Sequence, residues 1–152
     1  MKVKYVLLFP MMIVLLLCLC SCSQIEDTNG EDNYQLQTIS DERIISGKGS
    51  TVKVGSVSTT INNKGTYKVK KFSGVETIFS IDGSNNRITL TIISEIKSGN
   101  FKIVLVNEKQ IVKVFDLNCT QSVTIENATG RFDLKIAGES ANFSIEYEKN
   151  IE

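Results

Sequence analysis

The chain has 152 residues, with 17 basic and 17 acidic side chains, no His, no Trp and a single Pro. A neutral total speaks against a nucleic-acid partner, which strong basic clustering would mark. Without His the chain lacks the commonest general base, the usual activator of Ser and Cys nucleophiles, and the commonest metal ligand. No G-x-S-x-G, H-E-x-x-H or P-loop stands in for them, so no cofactor and no enzymatic role are expected.

The first predicted element is an export signal. Lys2 and Lys4 precede an apolar run from Val6 to Leu19, interrupted at Pro10. The run falls short of the ~20 residues a spanning helix needs and has the length of a secretory apolar region. It closes on Leu19-Cys20-Ser21-Cys22, which resembles the lipobox of bacterial lipoproteins, where cleavage falls just before a Cys that is then lipidated. Cys18 and Cys20 each follow a Leu, whereas Cys22 follows the small Ser21 with Leu19 three residues upstream. Cys22 is therefore assigned as the lipidated residue. The resemblance implies a signal peptide over 1–21 and several palmitate-type acyl chains on Cys22, which gives the multiple-chain anchoring that one chain cannot. It places the chain on the extracytoplasmic side of a cell membrane or outer membrane. Ser23-Gln24-Ile25-Glu26-Asp27 is similar to the acidic export signal of Bacteroidota surface lipoproteins, so both envelope types stay open.

Residues 22–43 follow as the anchor Cys and an acidic tether. From Ser23 to Glu42 there are six acids (Glu26, Asp27, Glu31, Asp32, Asp41 and Glu42) and no Lys or Arg. The stretch is polar and without period, which predicts a flexible spacer whose charge keeps the domain off an anionic membrane surface. The remainder, 44–152, has the size of one domain with one core. That is too small for the two lobes of a solute-binding lipoprotein. Cys119 is the only Cys beyond the anchor, so no internal disulfide is expected and the core must hold the domain.

From Thr51 onward the sequence alternates with period two. Val52 and Val54 flank Lys53; Phe132, Leu134 and Ile136 alternate with Asp133 and Lys135; Phe143, Ile145 and Tyr147 alternate with Ser144 and Glu146. Such alternation predicts half-buried strands, at about 51–60, 66–72, 76–81, 87–97, 100–106, 111–117, 122–126, 130–137 and 141–148. Turn residues at Asn62–Gly65, Asp82–Asn86, Ser98–Asn100, Asn107–Lys109 and Gly138-Glu139 separate them. Eight or nine antiparallel strands predict an all-β sandwich, immunoglobulin-like or jelly-roll, without the Cys…Trp…Cys signature of true immunoglobulin domains. Gly130 to Glu146 resembles the closing hairpin of small lipoproteins from low-GC Gram-positive bacteria, which implies the same all-β module and names no activity.

Candidate chemistry is sparse. Asp116, Glu126, Asp133 and Glu146 fall at strand positions that predict a solvated face. The Asp82–Asn86 turn offers oxygen ligands but lacks the repeated acids of a Ca²⁺ loop. Asn118, Asn127 and Asn142 open N-x-[ST] triplets that carry no glycan in a bacterium. One segment stands out: Arg43 to Val75 holds no acid, and Lys64, Lys68, Lys70 and Lys71 cluster late in it. A one-sided basic patch takes an anionic envelope polymer, a headgroup or a protein partner; the plainer reading is a charged face that keeps the sheet soluble. Function therefore reads as a non-enzymatic binding or structural module at the envelope. The alternatives are a carbohydrate-binding module, which calls for exposed aromatics such as Tyr34, Tyr67 and Tyr147 together, and a small hydrolase, which calls for paired carboxylates.

Overall fold

The computed structural model describes residues 35–152; the expected signal peptide and Cys22 lie outside the described residues. In chain order it contains α1 (Asp41–Ser46), β1 (Val52–Ile61), β2 (Lys64–Asn107), β3 (Gln110–Phe115) and β4 (Thr120–Ile151). β2 and β4 far exceed the usual strand length of ~3–10 residues, because each turns corners without dropping its ladder. The corners carry positive φ at Gly74, Asn85 and Gly99 in β2 and at Asn127, Gly130 and Ser140 in β4. At Gly99 (φ +80°) a Cβ would lie 2.5 Å from the Ser140 carbonyl oxygen, so only glycine lets the two corners nest.

The register resolves two layers, all antiparallel. In the front sheet β1 pairs with 64–72, 64–72 with 141–148, 142–151 with 88–98, and 88–93 with 120–125. In the back sheet 74–84 pairs with 129–138, 132–139 with 100–107, and 103–107 with β3. The chain is thus one long ribbon, doubled back at Glu108-Lys109, whose arms wind together around a core with β1 added at the front edge. This is a jelly-roll β-sandwich, the second of the two topologies expected.

Alternation then fills the space between the layers. Tyr67, Val69, Leu90, Ile92, Phe143 and Ile145 point in from the front, and Phe101, Ile103, Leu105, Phe132, Leu134 and Ile136 from the back. Phe101 stacks on Phe143 at 4.3 Å between centroids, with Phe72 edge-on to both. The expected core face of Phe132, Leu134, Ile136, Phe143 and Ile145 is therefore one cluster, shared by two facing sheets. The buried Ser94 hydroxyl is set in this apolar surround without a hydrogen-bond partner among the described residues.

Three expectations are corrected. The tether does not run to residue 43, because its last part docks on the back sheet. Ser40 caps α1, its hydroxyl accepting from the Arg43 N–H, and Gly47 closes it in the left-handed conformation. Ile39 and Ile44 then pack on the outward residues Val75, Val104, Val106 and Ala137. Burial of this apolar face outweighs the charge of Asp41 and Glu42, which stay exposed. The segment 130–146 is not a closing hairpin: 132–139 pairs in the back sheet and 141–148 in the front, so Gly138–Ser140 is a crossing between layers. The Asp82–Asn86 turn is likewise a crossing, where Gly83 and Ser84 keep pairing with Gly130 and Thr129.

Candidate binding face

The two outer faces differ in what covers them. On the back sheet α1 lies across the strands. Lys135, though only 7% exposed in its side chain, donates from Nζ to the Ile45 carbonyl at 2.5 Å and lies 3.9 Å from Asp133. A cation at the last carbonyls of a helix is well placed. Asp41 pairs with Lys102 at 2.6 Å. Asp133, expected on a solvated face, is instead drawn into a network with Ser80 and Arg131. Partial desolvation opposes its ionisation, but these two hydrogen bonds and the nearby charges of Arg131 and Lys135 hold its pKa below the ordinary value.

The docked segment is fastened at Glu139. Its carboxylate accepts from the backbone N–H of Gln37 (2.9 Å) and of Thr38 (2.6 Å), from the Thr38 hydroxyl (2.7 Å) and from Asn100 Nδ2 (3.1 Å). Desolvation alone would raise its pKa; the four donors overcome it and bring the pKa from 4.5 to about 2. Neither this clamp nor α1 was foreseen. Ser40, two acids and Gly47 in series are a readable helix start and stop, whereas the partner of Glu139 lies about a hundred residues away.

The front sheet has no such cover among the described residues. Its outward side chains form cross-strand rows that the register fixes. One row runs Thr59, Thr66, Glu146, Ile93; the next runs Ile61, Lys64, Glu148, Thr91; a third runs Val57, Lys68, Ser144, Glu95. The first two rows enclose a shallow groove of about 340 Å³. Ile61 and Ile93 are 67% and 46% exposed there, and Val57 in the third row is 64% exposed, so apolar surface is left facing water. Tyr147 closes the groove from beneath, its hydroxyl 3.0 Å from the Thr60 hydroxyl.

The four expected lysines differ in their surroundings. Lys64 pairs with Glu148 at 3.0 Å and belongs to the groove. It stands four residues from Lys68 along the strand, about 13 Å at ~3.3 Å per residue. That is beyond the Debye length of ~8 Å at physiological salt. Lys68, Lys70 and Lys71 are exposed and make no ion pair among the described residues. A register shift between Val69 and Phe72 allows this: it turns Lys70 and Lys71 both outward while Phe72 still reaches the core. Opposite the shift, Gly55 has φ +62°, and a Cβ there would lie 3.0 Å from the Lys70 stem. Glycine thus lets that stem lie flat on β1.

The other candidates are dispersed. Cys119 is a half-buried free thiol at the lead-in to β4, its Sγ 3.4 Å from the Asp116 carbonyl oxygen. Asp116 accepts from Gln121 and Glu126 pairs with Arg87. Tyr67 and Tyr147 are 5% and 6% exposed, so they form no aromatic platform, and Tyr34 lies outside the described residues. Tyr67 instead donates to Glu76 at 2.8 Å, which Lys53 also reaches at 2.7 Å, tying β1 to both layers. Among the described residues no group of three or more Cys, Asp or Glu is placed to hold a metal.

No protein-family model matches the chain, and no curated protein does. Among solved structures, the carbohydrate-binding module CBM36 in complex with calcium and xylotriose is similar at 17% identity. The likeness covers 70% of this chain and 91% of that one, with a TM-score of 0.32.

Proposed function

We propose that this jelly-roll domain is a non-enzymatic binding module, held by lipid on Cys22 at the outer side of a bacterial membrane, and that its front face takes up an anionic envelope polymer. The observation that carries the reading is the asymmetry of the two outer faces. One is sealed by the chain's own segment; the other is left open, with Lys68, Lys70 and Lys71 gathered at one end of it. Three neighbouring ammonium groups attract a polyanion through summed, screened attraction, so the contact is salt-sensitive and needs no shaped pocket. The anchor rests on the sequence of 1–22.

Two other readings fit less well. A glycan site built on stacking needs exposed aromatic rings, and the described tyrosines face inward. A hydrolase needs two working carboxylates. Glu146 and Glu148 share the groove, about 7 Å apart along the strand by a two-residue rise, but Glu148 is engaged by Lys64, which leaves one.

The test uses the full-length protein in detergent, bound to an insoluble anionic wall polymer across a salt series. Binding is expected at low salt, weakening as ionic strength passes ~0.15 M, where the Debye length is ~8 Å. Lys68→Gln/Lys70→Gln/Lys71→Gln should abolish it, while Lys64→Gln should leave it nearly intact. Equal binding by the triple variant would reject the reading. In parallel, cells fed a labelled fatty acid should label the wild type and not Cys22→Ala.

A further inference from the structure

We propose that β1 is a docking edge for a second copy of this chain: two β1 strands pair antiparallel about a two-fold axis at Thr59 and join two front sheets into one. The inference does not rest on the polymer reading, and its test uses no polymer.

An unpaired sheet edge is a template for another strand unless charge or burial blunts it. Among the described residues, three of the four edges are blunted. β3 carries Lys113, 74–84 carries Glu76 and Asp82, and 120–125 keeps its apolar Val123 and Ile125 partly buried against the core. β1 has none of these devices. It is ten residues long, exposed throughout, and paired along one side only among the described residues. Its one charge, Lys53, is taken by Glu76. Val52, Val54, Val57 and Ile61, at 57%, 55%, 64% and 67%, are the most exposed of the large apolar side chains described.

The register fixes which backbone groups face outward. Asn63 accepts from the Lys149 N–H, so 63, 65 and 67 direct their backbone groups to 141–149, and Lys64, Thr66 and Lys68 direct theirs to β1. Ile61, Thr59 and Val57 stand opposite those three and bond back to them. Ser58 and Thr60 therefore hold N–H and C=O at the free edge. Gly55, with φ +62°, breaks the regular backbone, so the usable edge is Ser56 to Ile61.

That edge is its own complement. With Thr59 opposite the partner's Thr59, Val57 meets the partner's Ile61 on the outer face and Ser58 meets the partner's Thr60 on the inner. Apolar faces apolar and hydroxyl faces hydroxyl, both favourable cross-strand pairs. Ser58 and Thr60 of the two copies gain about four ladder hydrogen bonds. Sliding the strands by two residues, the least that keeps the faces matched, sets Val57 or Ile61 against Thr59 instead. No like charges oppose the contact: Lys68 and the partner's Lys64 are three strand spacings apart, about 14 Å at ~4.8 Å each. The edge offers no free charge with which to select an acidic or basic foreign strand, whereas its own sequence fits it at every position. One strand edge buries less than the ~1,600 Å² of a standard interface, so the dimer is weak and reversible.

The test is disulfide trapping in the full-length protein in detergent, with Cys119→Ser as the parent and baseline. Thr59→Cys should give a reducible dimer on mild oxidation. Val57→Cys and Ile61→Cys alone should not, since each lies four residues from its twin, about 13 Å at ~3.3 Å per residue, beyond disulfide reach. The two mixed together should link. In sedimentation, the wild type should shift towards dimer as concentration rises. Thr59→Lys should stay monomeric, because like charges then stand directly opposite, and mixing it with Thr59→Glu should restore the dimer. A wild type that is monomeric at every concentration overturns the inference. So does equal trapping at 57, 59 and 61, the sign of random collision, or best trapping at Ser58→Cys or Thr60→Cys, the sign of another register. Linkage of Thr59→Cys to a foreign chain in cell extract, in place of its own kind, assigns the edge to another occupant and overturns it too.

Discussion

The back and front sheets alternate alike, yet the back sheet's outer face is covered and the front's is bare. The difference lies in the outward positions. On the back Val75, Val104, Val106 and Ala137 form one apolar cluster; on the front Val57, Ile61 and Ile93 are scattered among Thr59, Thr66, Lys68, Thr91, Glu146 and Glu148. Run together with the inward set, the back positions make Ile103-Val104-Leu105-Val106 apolar throughout, the mark of a strand buried on both faces. Such a face must be covered, and the segment ending in α1 covers it. The front face is polar enough to stay wet, and this leaves it available to a ligand. The face proposed for binding is the one the chain did not need to seal.

The largest expected effect tests the core that both faces share. Leu134→Ala removes a side chain with no exposure and should cost about 2–5 kcal/mol, read as a lower denaturation midpoint. An unchanged midpoint would mean that the inward set is assigned to the wrong face. The next pair of variants addresses the faces directly. Ile44→Ala, on the covered side, also empties a fully buried site and should cost ~2 kcal/mol or more. Val57→Ala, on the bare side, should stay within ~0.5 kcal/mol. If the two cost the same, the covering segment contributes nothing to stability and the contrast collapses.

The clamp on the cover gives a pH signature. Glu139 titrates at about 2 in the folded chain against 4.5 ordinarily. A depressed pKa means that the folded state binds fewer protons, so the stabilisation is complete above ~4.5, falls as pH drops from there towards 2, and is gone below. Hydrogen exchange at Gln37 and Thr38 should accelerate over that window beyond its intrinsic pH dependence. In Glu139→Gln the same amides should be weakly protected even at neutral pH. Identical protection in wild type and variant would show that something else holds the segment. The smallest effect concerns the interior: Ser94→Ala removes a buried hydroxyl that lacks a partner among the described residues, so stability should stay level or rise by ~1 kcal/mol. A clear loss would reveal a hydrogen bond at Ser94.

Alternation along 132–136 and 143–147 determined by itself that the chain forms two-faced strands, and hence an all-β sandwich with Phe132, Leu134, Ile136, Phe143 and Ile145 inside. This holds because a period of two is a local property of extended backbone. The run of lysines in one acid-free segment was also visible, but not the partner of each. The pairing of Lys64 with Glu148 and the bulge that turns Lys70 and Lys71 outward both depend on register with strands far away in the chain. The same is true of the crossings at Asp82–Asn86 and Gly138–Ser140. A Gly-rich break looks the same in sequence whether the next strand pairs with the last or crosses to the other layer, and only packing of the two sheets decides between them. The reach of the folded domain back to Gln37 was hidden for a third reason. An acidic stretch reads as a spacer until a carboxylate a hundred residues later supplies its donors with a partner and an apolar sheet face supplies Ile39 and Ile44 with a place to be buried.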